Sequence, residues 1–113
     1  MRATFMATAL TTVRDVPERG RFEIEVDGAL VGFLQYRRRP GTIAFMDTEI
    51  DPGHEGAGLG GTLVSAALVE ARREGAAVLP FCPFVRSYIE RHPEYLDLVP
   101  AERRAAFGLP VGG

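Results

Sequence analysis

Residues 51–62 read Asp-Pro-Gly-His-Glu-Gly-Ala-Gly-Leu-Gly-Gly-Thr, with four glycines at positions 56, 58, 60 and 61. An alternating apolar segment precedes this stretch, and apolar residues at helical spacing follow it. Glycine adopts backbone conformations that let consecutive N–H groups converge on one anion. The start of a helix favours the same anion through its unpaired N–H groups and its dipole. The stretch therefore predicts a phosphate-binding turn between a strand and a helix.

The chain before this turn predicts four strands that follow one another through short connections. Asp27-Gly28 is a strong signal for a two-residue hairpin. The alternation of Phe22, Ile24 and Val26 with acidic residues is typical of a half-buried strand. In the fourth strand, strict alternation places Asp47 and Glu49 on the same face as Ile43 and Phe45. The predicted strands are Thr8–Asp15, Arg21–Asp27, Leu30–Arg38 and Thr42–Ile50.

The chain after the turn predicts a helix, a strand and a second helix. The first helix, Gly61–Glu74, ends at Gly75, and Ala76–Phe81 is a short buried strand. Pro83 suits the first turn of a helix that reaches about Arg91. We predict an α/β (α+β) fold with a mostly antiparallel mixed sheet, β-β-β-β-α-β-α order and helices on both faces. One domain spans 1–113, with a core at about 8–99 and a tail at 100–113 in which 101–107 forms a short surface helix.

Composition narrows the function class. A net charge of −2 gives no reason to expect nucleic acid or an anionic membrane as a partner. The single cysteine excludes an internal disulfide and a multi-cysteine metal site, so we expect no metal and a reducing, cytoplasmic location. No segment is apolar and long enough to predict a membrane span, residues 1–13 do not resemble a clean secretory signal, and Met6 could equally be the true start.

Two common phosphate motifs fit the glycine turn poorly. Residues 56–61 satisfy G-x-G-x-x-G, but a dinucleotide fold needs repeated strand–helix units and an acidic residue about twenty positions later. That neighbourhood is Ala76–Val78, and the chain is too short for the fold. A nucleoside-triphosphate loop needs Lys before Ser or Thr, where this chain has Gly61.

A third pattern, x-x-x-G-x-G at Glu55–Gly60, resembles the coenzyme A pyrophosphate loop of the GCN5-related N-acetyltransferases. The runs TEIDPGHEGAGLGGTLVSAAL and VLPFCPFVRSYIERHPEY are similar to the smallest single-domain members of that family. The resemblance covers about Arg21–Val99. The Cys82-Pro83-Phe84 run, followed by Tyr88 and His92–Tyr95, is more specific than the glycine loop alone.

The resemblance implies acetyl-coenzyme A as co-substrate and an amine as acceptor. The backbone of Glu49, Ile50 and Asp51 would pair with the pantetheine arm. Glu55 and Ala57 stand where relatives often carry basic or amide residues, so binding would rest on backbone N–H groups. The residues expected at the cofactor are Ile50, Asp51, Glu55, Gly56, Ala57, Gly58, Leu59, Gly60, Gly61, Thr62 and Phe84.

Four side chains are candidates for catalysis, each with a structural alternative. Tyr88 either protonates the departing thiolate, as the resemblance implies, or is a core aromatic. Cys82, at a helix start, is either a nucleophile or a wall of the cleft. Glu49 and Asp47 either accept a proton from the amine or lie on a solvated sheet face.

Three functional hypotheses follow. The first is an N-acetyltransferase acting on an unidentified protein or small-molecule amine, as a monomer or a weak homodimer. The second is a module that binds coenzyme A or acyl-coenzyme A without transferring the acyl group. The third is a cysteine hydrolase that pairs Cys82 with His54 or His92, although His92 more simply caps a helix.

Overall fold

The computed structural model describes residues 10–111. Five strands and three helices follow the predicted order. Thr8 and Ala9, with which the first predicted strand begins, lie outside the described residues, as does the question of the start at Met1 or Met6. The elements are β1 (Thr11–Val16), β2 (Arg21–Val26), β3 (Ala29–Arg39), β4 (Thr42–Ile50), α1 (Leu59–Glu74), β5 (Ala77–Pro80), α2 (Pro83–Arg91) and α3 (Ala101–Arg104).

The five strands form one sheet in chain order, β1-β2-β3-β4-β5. The first three pairings are antiparallel, and β4 pairs with β5 in parallel. The parallel pair needs a crossover, which α1 supplies. The β2–β3 hairpin turns at Asp27 and Gly28, whose φ angles of 51° and 85° are the left-handed pair that the Asp-Gly signal predicts. The predicted fold class, a mostly antiparallel mixed sheet with helices, is confirmed.

A β-bulge at Met46 decides which way the second half of β4 faces. Tyr36 of β3 pairs with Phe45, but Gln35 pairs with Asp47, so Met46 has no partner. One extra residue reverses the alternation of side chains beyond it. Thr48 and Ile50 therefore share the face of Ile43 and Phe45, whereas Asp47 and Glu49 point to the opposite face.

The core lies between α1 and one face of the sheet. Ile24, Leu34 and Phe45 are fully buried on that face, and Leu63 and Val64 of α1 pack over them. The helix is held at its two ends by glycines in left-handed conformation, Gly58 before it and Gly75 after it. On the opposite face, the side chains along β1, β3 and β4 are exposed at Arg14, Gln35, Arg37, Asp47 and Glu49.

The C-terminal tail contributes to this core. Residues 101–107 form α3 and a 3-10 turn, close to the predicted surface helix, but Phe107 and Leu109 are buried in the same cluster as the sheet residues. Phe107 also meets Phe81 edge to face, with ring centroids 5.2 Å apart. The tail therefore packs as part of the domain. None of the helices between residues 10 and 111 is long and apolar enough to cross a membrane.

Glu23 departs from the simple alternation expected for β2. Its side chain is only 3% exposed, and its carboxylate lies 2.8 Å from Arg21 and 3.0 Å from Arg19, with Arg14 at 3.8 Å. Burial opposes ionisation, but the hydrogen bonds from Arg21 and Arg19 outweigh it and hold the pKa of Glu23 below its usual value. The acidic face of β2 is therefore an ion-pair cluster and not a fully solvated surface.

Candidate functional site

The glycine loop, residues 55–61, leads from β4 into α1, and its backbone N–H groups have no hydrogen-bond acceptor in the described part of the protein. Gly56 and Gly58 have φ angles of 89° and 75°, which side chains rarely permit. Within residues 10–111, none of the N–H groups from Glu55 to Gly61 donates to a protein acceptor. The first bond closing α1 runs from the Thr62 N–H to the Gly58 carbonyl, at 3.1 Å. The loop and the first turn thus present a row of donors suited to an anion.

A cavity of about 410 Å³, here called the loop cavity, opens beside these donors. Thr48 and Ile50 of β4 form one wall, and Phe84 of α2 forms another. Phe84 is 41% exposed and lies against the first turn of α1. The remaining lining residues are His54, Glu55, Gly56, Gly58, Leu59, Gly60 and Gly61. Of the predicted cofactor residues, the structure brings Ile50, Glu55, Phe84 and most of the glycine loop together here.

The backbone of β4 is free along one edge of the loop cavity. Pairing with β5 ends at Phe45 and Pro80, and the last backbone bond between the segments is from the Cys82 N–H to the Phe45 carbonyl. The Asp51 N–H is bonded to Val31 of β3. Because backbone groups alternate in direction along a strand, Ile50 and Thr48 direct theirs away from β3. These two residues offer the free hydrogen-bonding edge, whereas the Asp51 N–H is occupied.

Cys82 lies where β4 and the segment after β5 are last joined by a backbone hydrogen bond. It is 2% exposed, precedes the first residue of α2, and its Sγ is 3.2 Å from the Thr48 hydroxyl. Cys82 does not line the loop cavity, whereas its partner Thr48 does. Neither His54 nor His92 is hydrogen-bonded to it among the described residues, so the Cys–His pairing of the hydrolase hypothesis is not formed in this structure. His92 instead places Nδ1 2.9 Å from the Tyr88 carbonyl at the end of α2, as a capping residue.

Glu49 and Asp47 do not lie where strict alternation predicts them, because the bulge at Met46 turns both to the outer face of the sheet. Glu49 lines a smaller cavity of about 230 Å³, here called the strand cavity, together with Arg21, Phe33 and Asp51. Ile50 lines both this cavity and the loop cavity. Asp47 is exposed and lines neither. The two carboxylates are therefore distinct in position, and only Glu49 lies next to a residue of the loop cavity.

Tyr88 lies on the other side of the glycine loop. It lines an open cavity of about 560 Å³, here called the helix cavity, with Gly58, Gly61, Thr62, Ser65 and Ala66. Its ring stacks on His92, with centroids 4.0 Å apart and planes inclined by 17°. Its Cε2 would be 3.6 Å from a Cβ on Gly61. The structure does not bring Tyr88 into the same cavity as Thr48 and Phe84.

Thr48 is the wall residue that the sequence analysis missed. Strict alternation would turn Thr48 to the face opposite Phe45, and only the bulge returns it to the cavity side. The sequence favours no role for His54 over a contact with phosphate, yet His54 lines the loop cavity, and its Nδ1 is buried without a hydrogen-bond partner among the described residues. A bulge leaves no reliable mark in a single sequence, since an apolar residue such as Met46 fits either register. Within residues 10–111 no cluster of His, Cys, Asp and Glu is placed to hold a metal ion.

Comparison with protein-family models identifies one family. No curated protein matches the chain. A family model described as GCN5-related N-acetyl-transferase matches residues 21–98. The matched region runs from β2 to the turn after α2, and contains the glycine loop, the free edge of β4 and the Cys82–Phe84 segment. The chain is thus a member of the GCN5-related N-acetyltransferase family.

Proposed function

We propose that this protein transfers an acetyl group from acetyl-coenzyme A to an amine. The observation that carries the proposal is the row of unused N–H groups from Glu55 to Gly61, which opens into a cavity bordered by the free edge of β4. Phosphate accepts from such donors at a helix start, and an extended amide chain pairs with a free strand edge. A pyrophosphate joined to a pantetheine arm has both features in this order.

The described residues that line the loop cavity can bind that ligand through backbone N–H groups, but they offer no lysine or arginine to its phosphates. Glu55 lines the loop cavity and carries a negative charge beside the donors, and His54 is the one imidazole on the wall. Ala57 offers only its N–H. Binding of the pyrophosphate therefore depends on the conformation that Gly56 and Gly58 give to the loop. Thr48 and Ile50 would pair with the pantetheine arm, which moves this role from the backbone of Glu49 and Asp51.

Acetyl-coenzyme A would supply the activated acetyl group, and the chain's own residues would position the amine. Among residues 10–111, Ile50 alone lines both the loop cavity and the strand cavity. An amine that reaches the thioester from the strand cavity passes Glu49, whose carboxylate can take up its proton directly or through water. Cys82, buried and hydrogen-bonded to Thr48, would support that wall and carry no acetyl group.

Calorimetric titration with acetyl-coenzyme A tests the proposal together with thermal unfolding. Saturating ligand at about 100 times its dissociation constant stabilises a protein by about 2.7 kcal/mol, a readily measured rise in Tm. Gly58→Ala should weaken binding because Gly58 has a φ of 75°. Gly53→Ala is the matched control, since Gly53 lies in the same connection, has no left-handed φ and would place its Cβ in open space. Equal affinities for both variants and the wild type would contradict a loop-based site.

The alternative, a module that binds coenzyme A without transferring the acetyl group, is favoured by one observation. The strand cavity is small and lies on an exposed sheet face, so little of the chain encloses an acceptor. A panel of protein and small-molecule amines incubated with labelled acetyl-coenzyme A separates the two functions. Tight binding with no transfer to any amine would favour the module.

A further inference from the structure

The helix cavity is not used by the function proposed above, yet it adjoins the proposed anion site. It shares Gly58 and Gly61 with the loop cavity, so the two cavities lie on either side of the same turn. A ligand whose phosphates rest on the N–H groups of that turn has two directions in which its remaining parts can extend. If the pantetheine arm takes the loop cavity, the nucleotide end is left to the helix cavity.

The wall of the helix cavity suits a nucleotide. Tyr88 presents an aromatic ring, and that ring is already held by its stacking on His92. His92 is itself fixed by the contact of Nδ1 with the Tyr88 carbonyl, at 2.9 Å. An aromatic platform that is ordered before binding loses little conformational freedom when a base stacks on it. Both residues of this stacked pair belong to α2 and its C-terminal cap, and neither belongs to the glycine loop.

The helix cavity also contains two hydroxyl groups, those of Thr62 and Ser65. The Thr62 hydroxyl is bound to the Gly58 carbonyl at 3.1 Å and so stabilises the turn itself. The Ser65 hydroxyl lies one turn further along α1, at a long 3.5 Å from the Tyr95 hydroxyl. Such a long contact leaves Ser65 able to bond a ribose hydroxyl or phosphate oxygen.

We infer that Tyr88 and Ser65 hold the nucleotide end of coenzyme A, with Tyr88 as the stacking surface for the base. This inference rests on the proposed function, and it gives Tyr88 a role different from the thiolate-protonating role that the resemblance implies. The physical reason is position: Tyr88 lies at Gly61 in the helix cavity, whereas Thr48 and Cys82 mark the end of the cleft where the thioester would lie.

Truncated ligands separate the two roles. Calorimetry would compare coenzyme A with 4′-phosphopantetheine, which lacks the nucleotide, on the wild type, Tyr88→Ala and Tyr88→Phe. A lost base stack corresponds to a loss of about tenfold in affinity. We expect Tyr88→Ala to lose about that factor for coenzyme A and to bind 4′-phosphopantetheine as the wild type does. Tyr88→Phe keeps the ring and should bind both ligands normally.

A second variant keeps the test valid if Tyr88→Ala does not fold. Ala66→Leu extends a side chain into the helix cavity from α1 without altering the ring, and should give the same selective loss. Equal losses for both ligands, or none, would overturn the inference. So would a Tyr88→Phe enzyme that binds normally but transfers acetyl slowly, because the hydroxyl would then act at the thioester. Failure of the wild type to bind either ligand would instead refute the proposed function.

Discussion

Phe84 lies directly against Gly60: its Cζ is 2.7 Å from the position that a Cβ on Gly60 would occupy. This contact joins the first turn of α1 to α2 and shapes the loop cavity, which both residues line. A glycine inside a helix costs about 0.5–1 kcal/mol relative to alanine. The contact with Phe84 explains why position 60 is glycine in spite of this cost, since any side chain there would collide with the ring.

Gly60→Ala should weaken coenzyme A binding several-fold while leaving the fold intact. The added methyl group displaces the exposed ring of Phe84, which then moves within the cavity wall. Gly53→Ala is the matched control in the same connection, because Gly53 does not line the loop cavity and its Cβ would meet open space. Calorimetry and urea unfolding measure the two effects separately. If both variants bind alike, the Gly60–Phe84 contact does not shape the site.

Glu23 should make the free energy of unfolding decrease as the pH falls into the acidic range. Its pKa in the folded state is lowered, so its stabilising contribution is complete above the unfolded pKa, near 4.5, and is lost as pH falls through the lower folded pKa. Glu23→Gln should therefore flatten the fall in the free energy of unfolding below about pH 5. At pH 7 it should cost about 1–3 kcal/mol, because the hydrogen bonds that Arg19 and Arg21 donate to a charged carboxylate become bonds to a neutral amide oxygen.

Glu25→Gln is the control for this measurement. Glu25 is a neighbour on the same strand, is more exposed, and pairs with Arg14 at 3.2 Å. A pair of this kind contributes about 0.2–1 kcal/mol. Urea unfolding between pH 3 and pH 7 compares the two variants with the wild type. Parallel curves for Glu23→Gln and the wild type would show that the cluster around Glu23 does not stabilise the fold.

Cys82→Ala should retain acetyl transfer within a few-fold of the wild type. The thiol is buried, is bonded to Thr48 and does not line the loop cavity, so it lacks the access that a nucleophile needs. Some stability will be lost with the side chain. The measurement is steady-state transfer, accompanied by intact mass of the wild type after mixing with acetyl-coenzyme A. An acetylated wild-type protein, together with a folded but inactive Cys82→Ala, would establish the covalent route.

The fold was largely predictable from local patterns, whereas the site was predictable only in part. The Asp27-Gly28 turn, the ends of β4 and α2 and the stop at Gly75 follow from short-range chemistry that the sequence displays directly. The orientation of Thr48 and Glu49 depends on the bulge at Met46, which is set by the pairing of β4 with β3. The burial of Glu23 depends on arginines from β1 and the following turn. Such relationships require the assembled sheet.

Glu49→Gln should lower the rate of transfer by about 10² or more, the usual contribution of a positioned base. Glu49 lines the strand cavity next to Ile50, which borders the loop cavity as well, so its carboxylate lies on the path proposed for the amine. Asp47→Asn is the matched control, since Asp47 shares the outer face but lines neither cavity. Steady-state transfer rates of both variants and the wild type, measured with the same amine at one pH, make the comparison. Equal rates for the two variants would mean that the bulge, by turning both carboxylates outward, has removed them from the chemistry, and that water alone accepts the proton.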